Sequence, residues 1–70
     1  MEKGRIVGVI TIDPLSNLSM LLIERDDSSR FFVPVEKRYL EEIIESEADG
    51  DVQKLAGRDV EVEDGFIYFI

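Results

Sequence analysis

Acidic side chains are concentrated in one stretch of this 70-residue chain, and closely spaced carboxylates can bind cations. The stretch holds no basic residue, and its carboxylates are Glu41, Glu42, Glu45, Glu47, Asp49 and Asp51. The last four fall at the end of a predicted helix and in the turn after it, where free carbonyl groups supply further oxygen atoms. Because Ca²⁺ and Mg²⁺ prefer oxygen ligands, the candidate metal site is Glu45, Glu47, Asp49 and Asp51.

The spacing of these carboxylates departs from that of an EF-hand loop. Asp49 and Asp51 match its first two acidic positions, but no Gly follows at the sixth position and no Glu at the twelfth. The competing interpretation is a solvated helix face, partly neutralised by i, i+4 ion pairs from Lys37 and Arg38. The sequence favours the solvated face and leaves weak divalent-cation binding as the alternative.

This chain lacks the residues that most catalytic mechanisms require. It contains no Cys and no His, which removes thiol nucleophiles, imidazole bases and Cys/His zinc sites. Gly4 and Gly8 stand without the surrounding pattern of a phosphate-binding loop. Nothing singles out two of the 16 acidic residues as an acid–base pair, so the sequence predicts a non-enzymatic protein without an organic cofactor.

The aromatic residues and the net charge together bear on nucleic-acid binding. The predicted strands carry Phe31, Phe32, Phe66, Tyr68 and Phe69, and aromatic side chains on a barrel surface can stack bases. The chain has 8 basic and 16 acidic residues, however, and its net charge of −8 repels phosphate backbones and anionic membrane surfaces. We therefore expect these aromatic residues in a core or an interface, and neither nucleic acid nor a membrane as partner.

Composition also suggests where the protein works. No apolar run approaches the 18 or so residues of a membrane helix. The sequence predicts a cytoplasmic protein. Its scarcity of Asn and Gln and its lack of Cys are typical of thermophiles.

The hydrophobic pattern predicts a single domain over residues 1–70. Runs rich in β-branched and aromatic residues predict strands over 5–12, 18–25, 30–35, 58–63 and 66–70. A change to a 3.6-residue period predicts an amphipathic helix over 36–48, and 51–57 fits one more helical turn. Turn chemistry is predicted at 13–17 and 26–29, and Asp64-Gly65 predicts a two-residue type I′ hairpin.

The element order β-β-β-α-β-β places the chain in a β-rich α+β class. This order resembles that of an OB-type barrel, which implies a small five-stranded antiparallel barrel or curled sheet with one amphipathic helix. The alternative is an open antiparallel sheet with one packed helix. The resemblance also implies single-stranded nucleic-acid binding as a remote functional alternative.

The first three strands are apolar on both faces, whereas a sheet with one face in water alternates between apolar and polar residues. One helix cannot cover both faces, so either the sheet closes or another chain covers the second face. The sequence predicts the interface residues Val7, Val9, Leu21 and Ile23. The predicted function is a small acidic protein-interaction module that forms a homodimer or binds another protein, with a divalent-cation-binding protein as the alternative.

Overall fold

Five strands and one α-helix account for most of the computed structural model, which describes residues 1–11 and 15–70. The elements are β1 (Glu2–Thr11), β2 (Leu18–Glu24), β3 (Arg30–Glu36), α1 (Lys37–Ala48), a 3₁₀ turn (Val52–Leu55), β4 (Asp59–Glu63) and β5 (Phe66–Phe69). The predicted order β-β-β-α-β-β is confirmed. The predicted end of the first strand at Ile12 and the first part of the 13–17 turn lie outside the described residues.

The sheet is antiparallel and open, with strand order β3-β2-β1-β4-β5. The long strand β1 joins its two halves, because Glu2–Arg5 pair with β4 and Arg5–Thr11 pair with β2. Among the described residues β3 and β5 remain as edges, so the alternative of an open sheet with one packed helix is the correct one. The closed barrel is not formed.

One face of the sheet packs on α1 and the 3₁₀ turn, and we call it the inner face. Alternate residues of each strand point to it, since successive strand residues face opposite sides. The core consists of Ile6, Leu21, Ile23, Val33, Val35, Leu40, Ile43, Ala48, Leu55, Val60 and Ile67. Among residues 1–11 and 15–70, no helix packs on the opposite, outer face of the sheet.

A β-bulge at Val7 interrupts the alternation of β1. Ile6 pairs with Ile23 and Gly8 pairs with Leu22, so β1 has one extra residue between them. The extra residue changes which positions face inward, and both Ile6 and Val9 therefore pack on the core. Strict alternation places these two residues on opposite faces.

The turns follow their sequence signals. Asp64 and Gly65 have φ of 52° and 81°, and positive φ at both positions defines the predicted type I′ turn. Helix α1 ends at Ala48, Asp49 follows as its C-cap with φ of 52°, and the Gly50 N–H donates to the Ile44 carbonyl at 3.0 Å. Asp51 caps the 3₁₀ turn, as its side chain accepts a hydrogen bond from the Gln53 N–H.

The side chain of Tyr39 links α1 to the free edge strand β5. Its hydroxyl accepts a hydrogen bond from the Ile67 N–H at 3.0 Å and lies 3.5 Å from the Ile67 carbonyl, to which it donates. These are backbone groups that a neighbouring strand would pair in a closed barrel. The Tyr39 side chain thus provides hydrogen-bond partners for two backbone groups on the free edge of the open sheet.

Candidate functional site

The outer face of β1, β2 and β3 carries six neighbouring apolar residues, which we call the apolar patch. They are Ile10, Leu18, Met20, Leu22, Phe32 and Pro34. The strand register sets them in rows, since Leu22 pairs with Phe32 and Met20 pairs with both Ile10 and Pro34. Side chains opposite one another in an antiparallel pair are close enough to touch, so these rows form one continuous surface.

Exposure distinguishes this patch from the core. The side chain of Phe32 is 54% exposed, Leu18 is 41% exposed and Ile10 is 39% exposed. Met20 and Leu22 are half-buried by their neighbours on the same face. Water therefore contacts an apolar surface that spans three strands.

The other end of the outer face is charged. The carboxylate of Glu24 receives hydrogen bonds from Arg30 at 2.9 Å and Arg5 at 3.3 Å, in the row next to Leu22 and Phe32. The hydrogen bond from Arg30, followed by that from Arg5, holds the pKa of Glu24 below its ordinary value. This cluster contains two cations and one anion, so it adds no negative charge beside the apolar patch.

The Glu24 cluster predicts a specific acid sensitivity. Because the pKa of Glu24 is lowered in the folded state, its stabilising contribution is present above the ordinary glutamate pKa of about 4.3. It is lost as the pH falls through the lower, folded pKa. We expect Glu24→Gln to lose less stability than the parent chain between neutral and acid pH, as measured by the urea midpoint. Glu41→Gln, which changes an exposed carboxylate without an ion pair in the described residues, is the control. Equal acid losses in the parent and Glu24→Gln would contradict the role of the cluster.

The interface residues predicted from the sequence lie on the covered side of the sheet or at the bulge. Leu21 and Ile23 have no exposed surface and pack beneath the helix, and Val9 is half-buried against the same core. Val7 is half-buried at the bulge. Leu21 and Ile23 therefore present no exposed surface to a second chain, and the apolar residues that water contacts lie on the opposite face.

The four carboxylates proposed as metal ligands are not gathered around one point. Glu47 is paired with Arg58 at 2.9 Å, Asp49 lies 3.9 Å from Lys54, and the Asp51 side chain caps the 3₁₀ turn. The part of the chain that the structure describes contains no group of three or more side chains placed to hold a metal ion. Divalent-cation binding at Glu45, Glu47, Asp49 and Asp51 gains no support from this geometry.

The aromatic residues separate into two sets. Phe31 and Phe69 pack against the core, and each has a guanidinium over its ring, Arg25 at 4.2 Å and Arg58 at 5.0 Å. Phe32, Phe66 and Tyr68 are exposed. Since Phe32 lies on one edge strand and the other two lie on the opposite edge strand, they do not form one continuous stacking surface.

Comparison of the chain with protein-family models, curated proteins and solved structures finds no match. Within residues 1–11 and 15–70, no helix is both long enough and apolar enough to cross a membrane. The most distinctive feature of the surface of this chain is the apolar patch.

Proposed function

We propose that this domain is a non-enzymatic protein-interaction module that associates with a second copy of itself through the apolar patch. The observation that carries the proposal is the continuous apolar surface over β1, β2 and β3, on the face opposite α1. Contiguous exposed apolar patches above a few hundred Å² are uncommon on monomeric proteins and mark sites of interaction. Covering this patch removes its apolar side chains from water.

The distribution of charge supports a second copy as the partner. Residues 1–35 contain four basic and five acidic residues, a net charge of −1, whereas residues 36–70 contain four basic and eleven acidic residues, a net charge of −7. All six residues of the apolar patch belong to residues 1–35. Glu36 borders the patch as the cross-strand neighbour of Leu18, but none of the other ten acidic residues of 36–70 pairs with a patch residue in the sheet, which limits the repulsion between two copies that meet through this face.

The expected association is symmetric and of moderate strength. A two-fold interface uses the same surface on both chains, so the patch of one copy faces the patch of the other. A standard interface buries roughly 800 Å² on each partner. That is a large share of the 4722 Å² that this chain exposes, and the six residues of the patch supply only its apolar centre. We therefore expect dissociation in the micromolar range or above.

No catalytic step belongs to this proposal. The chain lacks His and Cys, and the described residues contain no group of three or more side chains placed to hold a metal ion. We propose that the protein works in the cytoplasm. Reducing conditions there prevent stable disulfide bonds, and a chain without cysteine does not need them.

A pair of matched substitutions tests the proposal. Phe32→Ser removes the aromatic ring of the patch, and we expect it to lower the average solution mass of the parent, a mixture of one and two chains, toward that of one chain. Tyr68→Ser is the control, because Tyr68 is 53% exposed on β5, the opposite edge strand. Light scattering after size exclusion at micromolar concentration measures the mass. A dimer that persists in Phe32→Ser, or that is lost equally in both variants, would place the interface elsewhere.

A further inference from the structure

A groove lies where the open sheet fails to close, between the end of β3 and the turn that joins β4 to β5. It has a volume of about 350 Å³ and is lined by Pro34, Val35, Glu36, Tyr39, Gly65 and Phe66. Apart from Pro34, which stands at the edge of the apolar patch, its lining belongs to a different surface. The groove is thus a second feature that self-association through the patch leaves unexplained.

The aromatic wall of the groove is held in place. The rings of Tyr39 and Phe66 meet edge to face, with centroids 6.2 Å apart and planes at 80°. The Tyr39 hydroxyl is fixed by the backbone of Ile67, so the ring cannot turn away without losing a hydrogen bond. Phe66 is nevertheless 57% exposed. An apolar side chain of a partner can pack on a wall that needs little reorganisation.

Three carboxylates line or border the groove, and the basic residues Lys37 and Arg38, which follow Glu36 in the chain, are not part of its lining. Glu36 lines it, Glu63 is the cross-strand neighbour of Phe66, and Asp64 opens the adjoining turn. In the part of the chain that the structure describes, none of these three carboxylates has an ion-pair partner. No basic residue lines the groove. The carboxylates therefore favour a cationic occupant.

Another protein is a more favourable ligand for this groove than a second copy of the chain. Six of the eight basic residues of this chain, Lys3, Arg5, Arg25, Arg30, Lys54 and Arg58, already have carboxylate partners. A second copy would also bring its own net charge of −8 to a groove that three carboxylates line or border. Charge complementarity thus points away from self-association at this groove.

We propose that the groove binds a cationic peptide segment of another protein. One apolar side chain of the segment packs against Tyr39 and Phe66, and flanking Lys or Arg side chains face Glu36, Glu63 and Asp64. The domain then has two interaction surfaces, the apolar patch for its own copy and the groove for a basic partner.

The test uses a blocked peptide of sequence Lys-Lys-Leu-Lys-Lys, titrated into the full chain while the backbone amide signals are followed by NMR. We expect saturable shifts centred on Tyr39, Gly65 and Phe66. The double variant Glu36→Gln/Glu63→Gln should bind about threefold to tenfold more weakly, since exposed ion pairs of this kind contribute modestly. The double variant Glu41→Gln/Glu45→Gln, which removes two carboxylates that do not line the groove, should bind as the parent does.

A second peptide and a second pair of substitutions distinguish binding in the groove from non-specific electrostatic effects. Lys-Lys-Ser-Lys-Lys should bind several-fold more weakly, and Phe66→Ser should weaken binding more than Tyr68→Ser. Uniform small shifts reproduced by NaCl, or equal binding in the two double variants, would overturn the proposal. Phe32→Ser should leave peptide binding unchanged, so a failure of the groove and a failure of self-association give different results.

Discussion

Replacing Gly4 by alanine is expected to lower the free energy of unfolding by about 3 kcal/mol, near the upper end for overpacked sites. A Cβ atom at this position would lie 2.6 Å from the Glu24 carbonyl oxygen and 2.6 Å from Cγ2 of Ile23. Favourable contacts between carbon atoms lie at roughly 3.5–4.0 Å, so β1 and β2 would have to separate. Because a small core supplies only ~3–5 kcal/mol, a loss of this size leaves roughly 0–2 kcal/mol, and we expect a measurable unfolded fraction without denaturant.

Gly8→Ala is the matched control for this substitution. The nearest atom to a Cβ at Gly8 is Cβ of Leu22, at an ordinary contact distance of 3.8 Å. Alanine reduces the freedom of the unfolded chain, so the expected change is between zero and a gain of about 1 kcal/mol. Urea unfolding followed by circular dichroism measures both variants. Similar stabilities for Gly4→Ala and Gly8→Ala would contradict the close approach of β1 to β2.

Two adjacent leucines in β2 provide the second large expected effect. Leu21 has no exposed surface, and Leu21→Ala should cost about 2–5 kcal/mol through lost burial and the cavity that remains. Leu22 lies half-buried on the outer face, and Leu22→Ala should cost about 1 kcal/mol or less. Thermal and urea unfolding at low protein concentration measures both, because dimer formation adds to the apparent stability of associated chains.

The comparison between these leucines also tests which face of the sheet is covered. If Leu21 were exposed in the monomer, as an interface residue would be, Leu21→Ala would cost little, whereas its burial in the structure predicts a large cost. An equal or reversed order of the two costs would mean that α1 packs on the other face. Leu22→Ala should in addition weaken self-association, and Leu21→Ala should weaken it only through unfolding.

The elements of this fold are predictable because their signals are local. The Asp64-Gly65 turn needs positive φ at two positions, a geometry that Asp and Gly tolerate, and the structure has it. The 3.6-residue period of α1 and the β-branched runs of the strands likewise reflect the residues themselves. The element order and the boundaries of most elements follow from these signals.

The covered face was not predictable by the same means. In β2 both alternating sets of residues are apolar, so the pattern is equally compatible with either face packing on the helix. The bulge at Val7 also changes which residues of β1 face the helix, and no local sequence signal predicts this bulge. Which apolar set remains exposed is settled by where α1 packs, a long-range property of the chain.

The acidic stretch shows a similar limit. Its charge density is visible in the sequence, but the pairing of Glu47 with Arg58 joins residues of two different elements. The i, i+4 pairs expected from Lys37 and Arg38 do not form among the described residues, whereas longer-range pairs do. Sequence spacing along a helix identifies candidate ion pairs within that helix. It does not show which of those side chains instead pair with residues of other elements.

Sedimentation equilibrium of the unaltered chain tests the central claim of self-association most directly. Measurements from low to high micromolar concentration, at low and at moderate salt, should give a mass that rises from 8.0 kDa toward twice that value. Moderate salt should favour the dimer, because it screens the repulsion between two chains of charge −8 and leaves apolar burial in place. A mass of one chain at every concentration and at both salt levels would contradict the claim.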